Sequence, residues 1–177
     1  RGAGLTGLGG IYPRRDAVVR PVIDVSRDEL RTFLRDRGEN WVEDATNADV
    51  DNPRNRIRHR VLPELDAAYA GARRAIARAA TAAREEGQWL ESVANVRYSS
   101  LCVAADGCLE IDVAALWAEP GPVRRRVLFR ALKALARNRE VGMEHVETAL
   151  EVAEGVAGGA DLPGSRLELR RGKLVLI

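Results

Sequence analysis

The 177-residue sequence has few residues of the kinds that hold disulfides or metals together. It contains two cysteines, two histidines and one methionine. Cys102 and Cys108 flank the turn-forming pair Asp106-Gly107, and counting outward from that turn places neither cysteine opposite the other. We therefore expect two small buried side chains rather than a disulfide. Two cysteines with two histidines also make no persuasive set of ligands, so no metal site is predicted.

Long apolar runs are absent as well. No stretch approaches the roughly 20 apolar residues that a membrane-spanning helix needs, and no signal peptide opens the chain. We expect a cytoplasmic protein with no membrane contact. The formal net charge is only +2, so any site for a polyanion must be a local cluster of basic residues rather than a property of the whole surface.

The composition is that of a soluble globular protein, with 46% hydrophobic and 31% charged residues. The stretch "SRDELRTFLRDRG" predicts a helix that Ser26 and Glu29 cap as a capping box and that Gly38 ends. "AVVRPVIDV" predicts an edge strand or an extended segment, since it is β-rich but contains Pro21. "WVED" then follows as a short buried or half-buried piece.

The second half of the sequence alternates helices with hairpins. An Ala- and Arg-rich stretch from Leu65 to about Tyr98 predicts one long helix or two abutting ones. Its expected packing stripe is Ile76, Ala80, Ala83, Trp89 and Val93. "PGPVRRRVLFRALKALARN" and "EHVETALEVAEGV" predict two more helices, and hairpins are expected about Asp106-Gly107 and about Gly172. The predicted fold class is mainly α with small β hairpins, an α+β fold.

One short stretch concentrates positive charge, because "DNPRNRIRHR" carries four arginines in seven residues. On a helix, Arg54 and Arg58 share the apolar sector of the following "VLPEL", while Arg56 and Arg60 point away. Three interpretations of the inner pair stay open. They are a salt bridge to Asp44, Asp49 or Asp51, a site for a phosphate or carboxylate, and simple snorkelling of long side chains. The outer pair fits a solvated face or a contact to a polyanion.

The residues around this stretch carry a family resemblance. "RGAGLTGLGGI", "RPVIDVSRDELRTFLRDRGENWVEDATNADVDNPRNRIRHRVLPEL" and above all the order W-V-E-D-x-x-N, R-N-x-I-R, L-P resemble the bacterial tRNA(Ile)-lysidine synthetases. The resemblance implies that residues 1–64 are the C-terminal part of an α/β PP-loop nucleotide-binding domain. It also implies that residues 65–177 are the helical, substrate-binding middle domain with a terminal hairpin.

The chemistry that the resemblance implies is a ligation. Members of the family use ATP and Mg²⁺ to adenylate the wobble cytidine in the anticodon of tRNA(Ile), and the amino group of free lysine then displaces AMP at C2. The residues that match the motifs imply catalytic roles for Arg54, Arg58 and Asp44. The same matching implies substrate-binding roles for Asn47, Asn55, Arg1, Gly2, Gly4, Arg56 and Arg60.

The sequence departs from that family in one respect. The S-G-G-x-D-S loop that cradles pyrophosphate does not occur in it. We therefore expect a fragment that is inactive alone and that binds ATP and Mg²⁺ poorly. A noncatalytic helical RNA-binding module remains an alternative, as does a related PP-loop enzyme that thiolates tRNA cytidine, although the missing cysteine pairs argue against the latter.

Overall fold

A computed structural model describes residues 5–105 and 107–177 and divides the chain into two compact units, Arg1–Glu86 and Gly87–Ile177. The division falls within a long helix. The family-based boundary predicted after residue 64 lies one helix earlier and stays a prediction. In its described residues the structure is helical with small antiparallel sheets, which confirms the predicted α+β class.

The first unit consists of short elements joined by turns. In order they are α1 (Leu5–Leu8), β1 (Arg14–Arg15), β2 (Val18–Val19), α2 (Arg27–Asp36), a 3₁₀ helix (Ala45–Ala48), α3 (Pro53–Arg56), a π-helical turn (Ile57–Val61) and α4 (Leu62–Ala68). The long helix α5 (Ala72–Leu101) begins in this unit. Strands β1 and β2 pair antiparallel as a two-residue ladder.

The helix predicted from its capping box is present. Ser26 Oγ accepts a hydrogen bond from Glu29 N at 3.2 Å, and Glu29 Oε2 accepts one from Ser26 N at 2.8 Å. Gly38 follows the helix with φ +70°, the left-handed conformation that glycine adopts at helix ends. The local sequence signals were sufficient here because both capping partners lie within four residues.

One prediction for the first unit is confirmed only in part, and another is wrong. "AVVRPVIDV" forms a strand only at Val18–Val19, because Pro21 lacks the N–H that a continuing ladder needs and the chain turns there. "WVED" is not buried: all four residues are exposed, and Val42 is 96% exposed. Its polar groups instead make hydrogen bonds on the surface of the unit.

The second unit adds a five-stranded antiparallel sheet and three helices. Its further elements are β3 (Cys102–Ala105), β4 (Cys108–Asp112), α6 (Val113–Ala118), α7 (Gly121–Leu135), α8 (Met143–Ala153), β5 (Gly159–Leu162), β6 (Ser165–Arg170) and β7 (Lys173–Leu176). The order of strands in the sheet is β3-β4-β7-β6-β5. Both predicted hairpins, β3–β4 and β6–β7, are confirmed by their register.

The hydrophobic core of this unit lies between the sheet and helices α6 to α8. Its largest fully buried side chains are Ile111, Leu116, Leu128, Leu132, Leu167, Leu174, Leu176, Val127, Val146 and Val152. Gly164, with φ +81°, lies in the β5–β6 turn, where an added Cβ would come within 2.4 Å of the Leu135 carbonyl oxygen. Only glycine fits that approach to the end of α7.

The predicted packing stripe of the long helix is wrong in part. Ile76 and Trp89 are exposed, whereas Val93 packs against the core and Ala94 is buried. The chain also breaks between α4 and α5, where Gly71 adopts φ +88°. A stripe chosen by helical spacing alone does not say which part of a 30-residue helix finds a partner.

Candidate anion-binding site

The segment from Trp41 to Asp49 lies between α2 and α3 in the first unit. Asp44 caps the 3₁₀ helix, and its Oδ1 accepts hydrogen bonds from the backbone N of Thr46 at 2.9 Å and from Thr46 Oγ1 at 2.8 Å. These bonds lower the pKa of Asp44 below its ordinary value, the Oγ1 bond having the larger effect. The Asp44 carboxylate is therefore ionised and engaged within its own turn.

Asn55 connects this segment to the arginine-rich helix through hydrogen bonds. It is the buried polar residue of the described chain, at 7% exposure, and its Nδ2 donates to the carbonyl oxygens of Thr46 and Asp49, both at 2.9 Å. A buried amide with both donors satisfied fixes the distance between two backbone segments. The part of "PRNR" that faces inward is thus the asparagine rather than an arginine.

The arginine-rich stretch does not continue as a regular α-helix. Asn52 caps α3 by accepting from Arg54 N at 3.0 Å, and Pro53 occupies the first turn. The next five residues, Ile57–Val61, form a π-helical turn. Such turns are rare and shift the side chains around the axis relative to regular helical spacing. Because the turn separates Arg54 from Leu62 and Leu65, a 100° projection did not preserve the position of Arg54 relative to those apolar residues.

A cleft of about 790 Å³ opens beside this turn within the first unit. Helix α2 contributes one wall and the π-helical turn with α4 contributes another. His59 Nε2 donates to the Asn47 carbonyl oxygen at 2.8 Å, so the wall that carries the turn is also tied to the linking segment. The residues that line the cleft are Ser26, Arg27, Asp28, Arg31, Asn47, Arg58, His59, Leu62, Pro63 and Arg73.

Positive charge exceeds negative charge around the cleft. Arg73 pairs with Asp66, with Nε to Oδ2 at 2.6 Å, and Arg27 and Arg31 both pair with Glu43. Among the ion pairs of residues 5–105 and 107–177, none involves Arg58. Arg58 is a half-buried residue, and it is the lining arginine without a carboxylate counterion in the described chain.

An anion with several oxygens fits this arrangement. A guanidinium presents N–H donors in a planar fork that matches phosphate and carboxylate oxygens, and partial burial strengthens such charge-assisted bonds. Four arginines around one cleft also concentrate a positive potential there. Phosphate and carboxylate groups are the ligands that this chemistry favours.

The predicted site residues are distributed differently. Arg58 and Asn47 line the cleft together. Arg54 is exposed, so its predicted position in a buried apolar sector is wrong. That sector is itself half exposed, as Ile57, Val61 and Leu65 show. The remaining predicted residues are placed as follows: Asp44 and Asn55 in the bonds above, Arg56 and Arg60 exposed, and Arg1, Gly2 and Gly4 outside the described residues.

The alternative of a structural salt bridge can also be compared with the structure. Neither Arg54 nor Arg58 pairs with Asp44, Asp49 or Asp51 within the described residues. Asp49 instead accepts a hydrogen bond from Asp51 N at 2.9 Å. The carboxylates of Asp44 and Asp49 are thus engaged in turn formation, as short polar side chains in such loops often are.

Sequence reasoning missed four basic residues that line the cleft, Arg27, Arg31, His59 and Arg73. Arg27 and Arg31 lie four residues apart on α2 and so share one face of it. That spacing could have been noticed, but nothing local indicates that the face meets His59 and Arg73. Only the fold brings these segments together.

The described residues contain no cluster of three or more histidine, cysteine or acidic side chains that could hold a metal ion. They also contain no helix that is both long and apolar enough to cross a membrane.

Comparison with known proteins points to one family. Residues 1–65 match the family model described as a PP-loop domain. The chain is 39% identical over 175 residues to a tRNA(Ile)-lysidine synthase of Solibacter usitatus, covering 97% of this chain and 40% of that protein. It is 38% identical over 167 residues to that of Thermus thermophilus, covering 92% and 31%, and 33% identical over 183 residues to that of Mycobacterium tuberculosis, covering 100% and 57%.

The chain thus spans between about a third and three fifths of the length of these curated relatives. The resemblance carried by W-V-E-D-x-x-N and R-N-x-I-R is confirmed by them. Residues 1–65, which hold most of the basic cleft, belong to the PP-loop domain family, and the chain is a homologue of part of the tRNA(Ile)-lysidine synthases.

Proposed function

We propose that this chain is part of an ATP-dependent ligase that attaches free lysine to the wobble cytidine of tRNA(Ile). The observation that carries the proposal is the position of Arg58. Its guanidinium lacks a carboxylate partner within the described chain and lines an arginine-rich cleft in the segment that matches the PP-loop family. The substrates are ATP, lysine and the anticodon region of the tRNA.

The reaction has two steps in this proposal. The O2 oxygen of cytidine attacks the α-phosphate of ATP, forming an O–P bond while the bond to pyrophosphate breaks. The amino nitrogen of lysine then forms a bond to C2, and AMP leaves with that oxygen while the nitrogen loses a proton. Both steps place negative charge on phosphate oxygens, which a preorganised cation stabilises.

The cleft residues take roles in these steps through their charge. Arg58 is proposed to contact a phosphate of ATP or of its products, because it is the lining cation with the least competition from carboxylates. Asn47 lines the same cleft and could donate or accept a hydrogen bond there. The catalytic roles predicted for Arg54 and Asp44 stay predictions, for which Arg54→Ala and Asp44→Ala are the tests. Mg²⁺, when bound with ATP, supplies further charge neutralisation.

A hybrid protein tests the proposed function directly. Residues 1–177 would replace the matching segment of the Solibacter usitatus relative, to which they are 39% identical. Incorporation of radioactive lysine into tRNA(Ile) in the presence of ATP is the expected result, and it should be absent when ATP is omitted. A folded hybrid that binds tRNA(Ile) yet incorporates no lysine would contradict the proposal.

A second candidate function, RNA binding by the second unit, has a specific observation in its favour. One aromatic residue, Phe129, stands among the arginines of "RRRVLFR". The fold brings it together with Tyr98 of α5 and with Arg130 and Lys133 of α7 around a groove of about 480 Å³, which Glu91 also lines. Arg130 lies 5.8 Å from the centroid of the Tyr98 ring. Aromatic and cationic side chains in one groove are a typical surface for unpaired nucleotides.

The two candidate functions predict different effects of substitutions. Lys133→Ala should weaken tRNA binding by the 177-residue chain in a salt-dependent way, because it removes a cation from the groove. Lys173→Ala, whose ammonium pairs with Glu110 at 2.7 Å, is the matched control outside the groove. Equal losses for the two lysines would point to nonspecific attraction and remove the support for the second candidate.

A further inference from the structure

Glu43 is the third residue of "WVED" and was given no role by its position in the sequence. In the structure its carboxylate accepts hydrogen bonds from three side chains of two segments. Trp41 Nε1 donates to Oε1 at 2.7 Å, Arg31 donates to the same oxygen, and Arg27 donates to Oε2. One carboxylate therefore contacts both arginines that α2 contributes to the cleft.

The two arginines keep donors for another partner. Each uses one terminal nitrogen on Glu43, whereas a guanidinium carries five N–H groups. Arg31 Nε is buried and has no hydrogen-bond partner in the structure. Both side chains line the cleft with Arg58. Their bonds to Glu43 thus fix their position without exhausting their capacity to bind an anion.

We propose that Glu43 is a positioning residue for anion binding, holding Arg27 and Arg31 at the cleft so that their free N–H groups converge with Arg58 on one phosphate group. The inference deepens the proposed function and rests on the cleft being its anion site. It also assigns a purpose to two arginines that the motif comparison left out. Glu43 itself contacts no ligand in this scheme.

The physical reason lies in the flexibility of arginine. A free arginine on a helix surface populates many rotamers, and ordering it on a ligand costs conformational entropy at the moment of binding. Contact with Glu43 restricts those rotamers in advance. The hydrogen bonds from Trp41 and Arg31 lower the pKa of Glu43, the bond from Trp41 having the largest effect, and the charges of Arg27 and Arg31 lower it further.

Removing a carboxylate also has an electrostatic effect, which changes the affinity for an anion in the opposite direction from a loss of positioning. This difference in direction makes the proposal testable. Removing a carboxylate near an anion site increases the positive potential there and should strengthen anion binding. Asp28 provides the matched case: it lines the same cleft, is highly exposed, and lies 4.0 Å from Arg31 Nη1. Asp28 lacks the second arginine and the tryptophan that Glu43 holds, so its removal shows the effect of charge with little loss of positioning.

The experiment uses the 177-residue chain and inorganic pyrophosphate as the probe. Titrations are followed by the NMR cross-peaks of the arginine Nε–Hε groups, which resolve Arg27, Arg31 and Arg58 individually. Glu43→Gln should weaken pyrophosphate binding about tenfold, whereas Asp28→Asn should leave it equal or slightly tighter. Trp41→Phe, which removes one donor to Glu43 and keeps the ring, should weaken binding by a smaller factor.

A double-mutant cycle then shows whether Glu43 acts through the arginines. If it does, Glu43→Gln should cause no further loss in a chain that already carries Arg27→Ala and Arg31→Ala. A further tenfold loss in that background would overturn the proposal, as would tighter binding by Glu43→Gln alone. Thermal unfolding midpoints are measured for each variant. Should Glu43→Gln not fold, Trp41→Phe in the same cycle decides the question.

Failure of this inference can be told apart from failure of the proposed function. If Arg58→Ala abolishes the pyrophosphate response while Arg27→Ala and Arg31→Ala do not alter it, the positioning role of Glu43 is wrong and the cleft remains the anion site. If pyrophosphate shifts none of the three arginine cross-peaks, the cleft is not the anion site and both proposals fall.

Discussion

The two units of this chain are stabilised by different kinds of interaction. The hydrophobic core cluster consists entirely of residues in Gly87–Ile177. The described part of Arg1–Glu86 has three buried residues, Gly9, Asn55 and Ala72, and exposes many large apolar side chains. Its short elements are joined by helix caps, by hydrogen bonds from side chains to backbone carbonyl oxygens, and by the ion pairs of Glu43. One unit depends on packing, and the other depends on polar contacts around a cleft.

This difference matches the kind of site that each unit can present. Polar networks place charged groups with fixed geometry at a surface, which a cleft for phosphate needs. A packed core of leucine and valine gives rigidity but leaves few charged groups inside. The exposed apolar side chains of the first unit also mean that it gains little from burial by itself. The predictions below test that contrast.

Cutting the chain at the boundary predicted after residue 64 should give the largest effect. Residues 65–177 contain the whole core cluster together with Leu90, Val93 and Tyr98, which pack against it. We expect this piece to unfold in a cooperative thermal transition followed by circular dichroism. Residues 1–64 alone should show none. A piece 65–177 without a cooperative transition would mean that the predicted boundary is wrong.

A single core substitution should have the next largest effect. Leu132 is fully buried, so Leu132→Ala is expected to cost about 2–5 kcal/mol of unfolding free energy through lost burial and a cavity. Phe33→Ala is the control from the first unit, where the ring is 53% exposed. It should cost less than about 1 kcal/mol. Urea unfolding measures both, and equal costs would remove the contrast between the units.

Asn55 is the buried polar anchor of the first unit. Asn55→Ala removes both donors to the carbonyl oxygens of Thr46 and Asp49 and should cost about 1–3 kcal/mol locally. Hydrogen exchange over residues 44–60 should accelerate, while α7 and α8 stay protected. Asn55→Asp should be at least as harmful, because it points a carboxylate at the same two carbonyls. Unchanged exchange in both variants would show that the anchor is not needed.

The particular residues show why some of the fold could be predicted and some could not. The capping box of Ser26 and the hairpin about Gly172 depend on partners a few residues away, so local rules found them. The cleft depends on Arg27, Arg58 and Arg73, which are separated by 15 to 46 positions in the sequence. The π-helical turn also separates Arg54 from the apolar residues with which regular helical spacing had grouped it.

Substitutions at Arg58 and at Arg60 compare the cleft with the exposed face of the same turn. In the hybrid enzyme, Arg58→Ala should lower lysine incorporation at saturating tRNA about tenfold, equivalent to about 1.4 kcal/mol. Arg60→Ala should instead weaken tRNA binding modestly and in a salt-dependent way, as a phosphate contact does. Unfolding is measured in parallel. If Arg58→Ala and Asp44→Ala both lose stability in step with activity, the arginine is structural.

The smallest expected effect concerns pH and the second unit. Burial raises the pKa of Cys102 from 9.0 to about 12. In the unfolded chain the thiol ionises near its ordinary pKa, while in the folded protein it stays protonated up to about pH 12. The free energy of unfolding therefore falls progressively between about pH 9 and pH 12. The full stabilising contribution of the protonated Cys102 thiol is present below pH 9.

Cys102→Ala removes this titration and is the variant to compare with the parent chain. Between pH 8 and pH 10.5 the melting temperature of the parent should fall further than that of Cys102→Ala, by about 2–4 °C at most. The difference is expected to be small because the thiol is only partly enclosed and Tyr98, whose pKa burial also raises, titrates in both proteins. Since the first unit has no cysteine, hydrogen exchange should locate the added opening in residues 87–177. Identical pH profiles for the two proteins would show that the folded chain does not keep this thiol protonated.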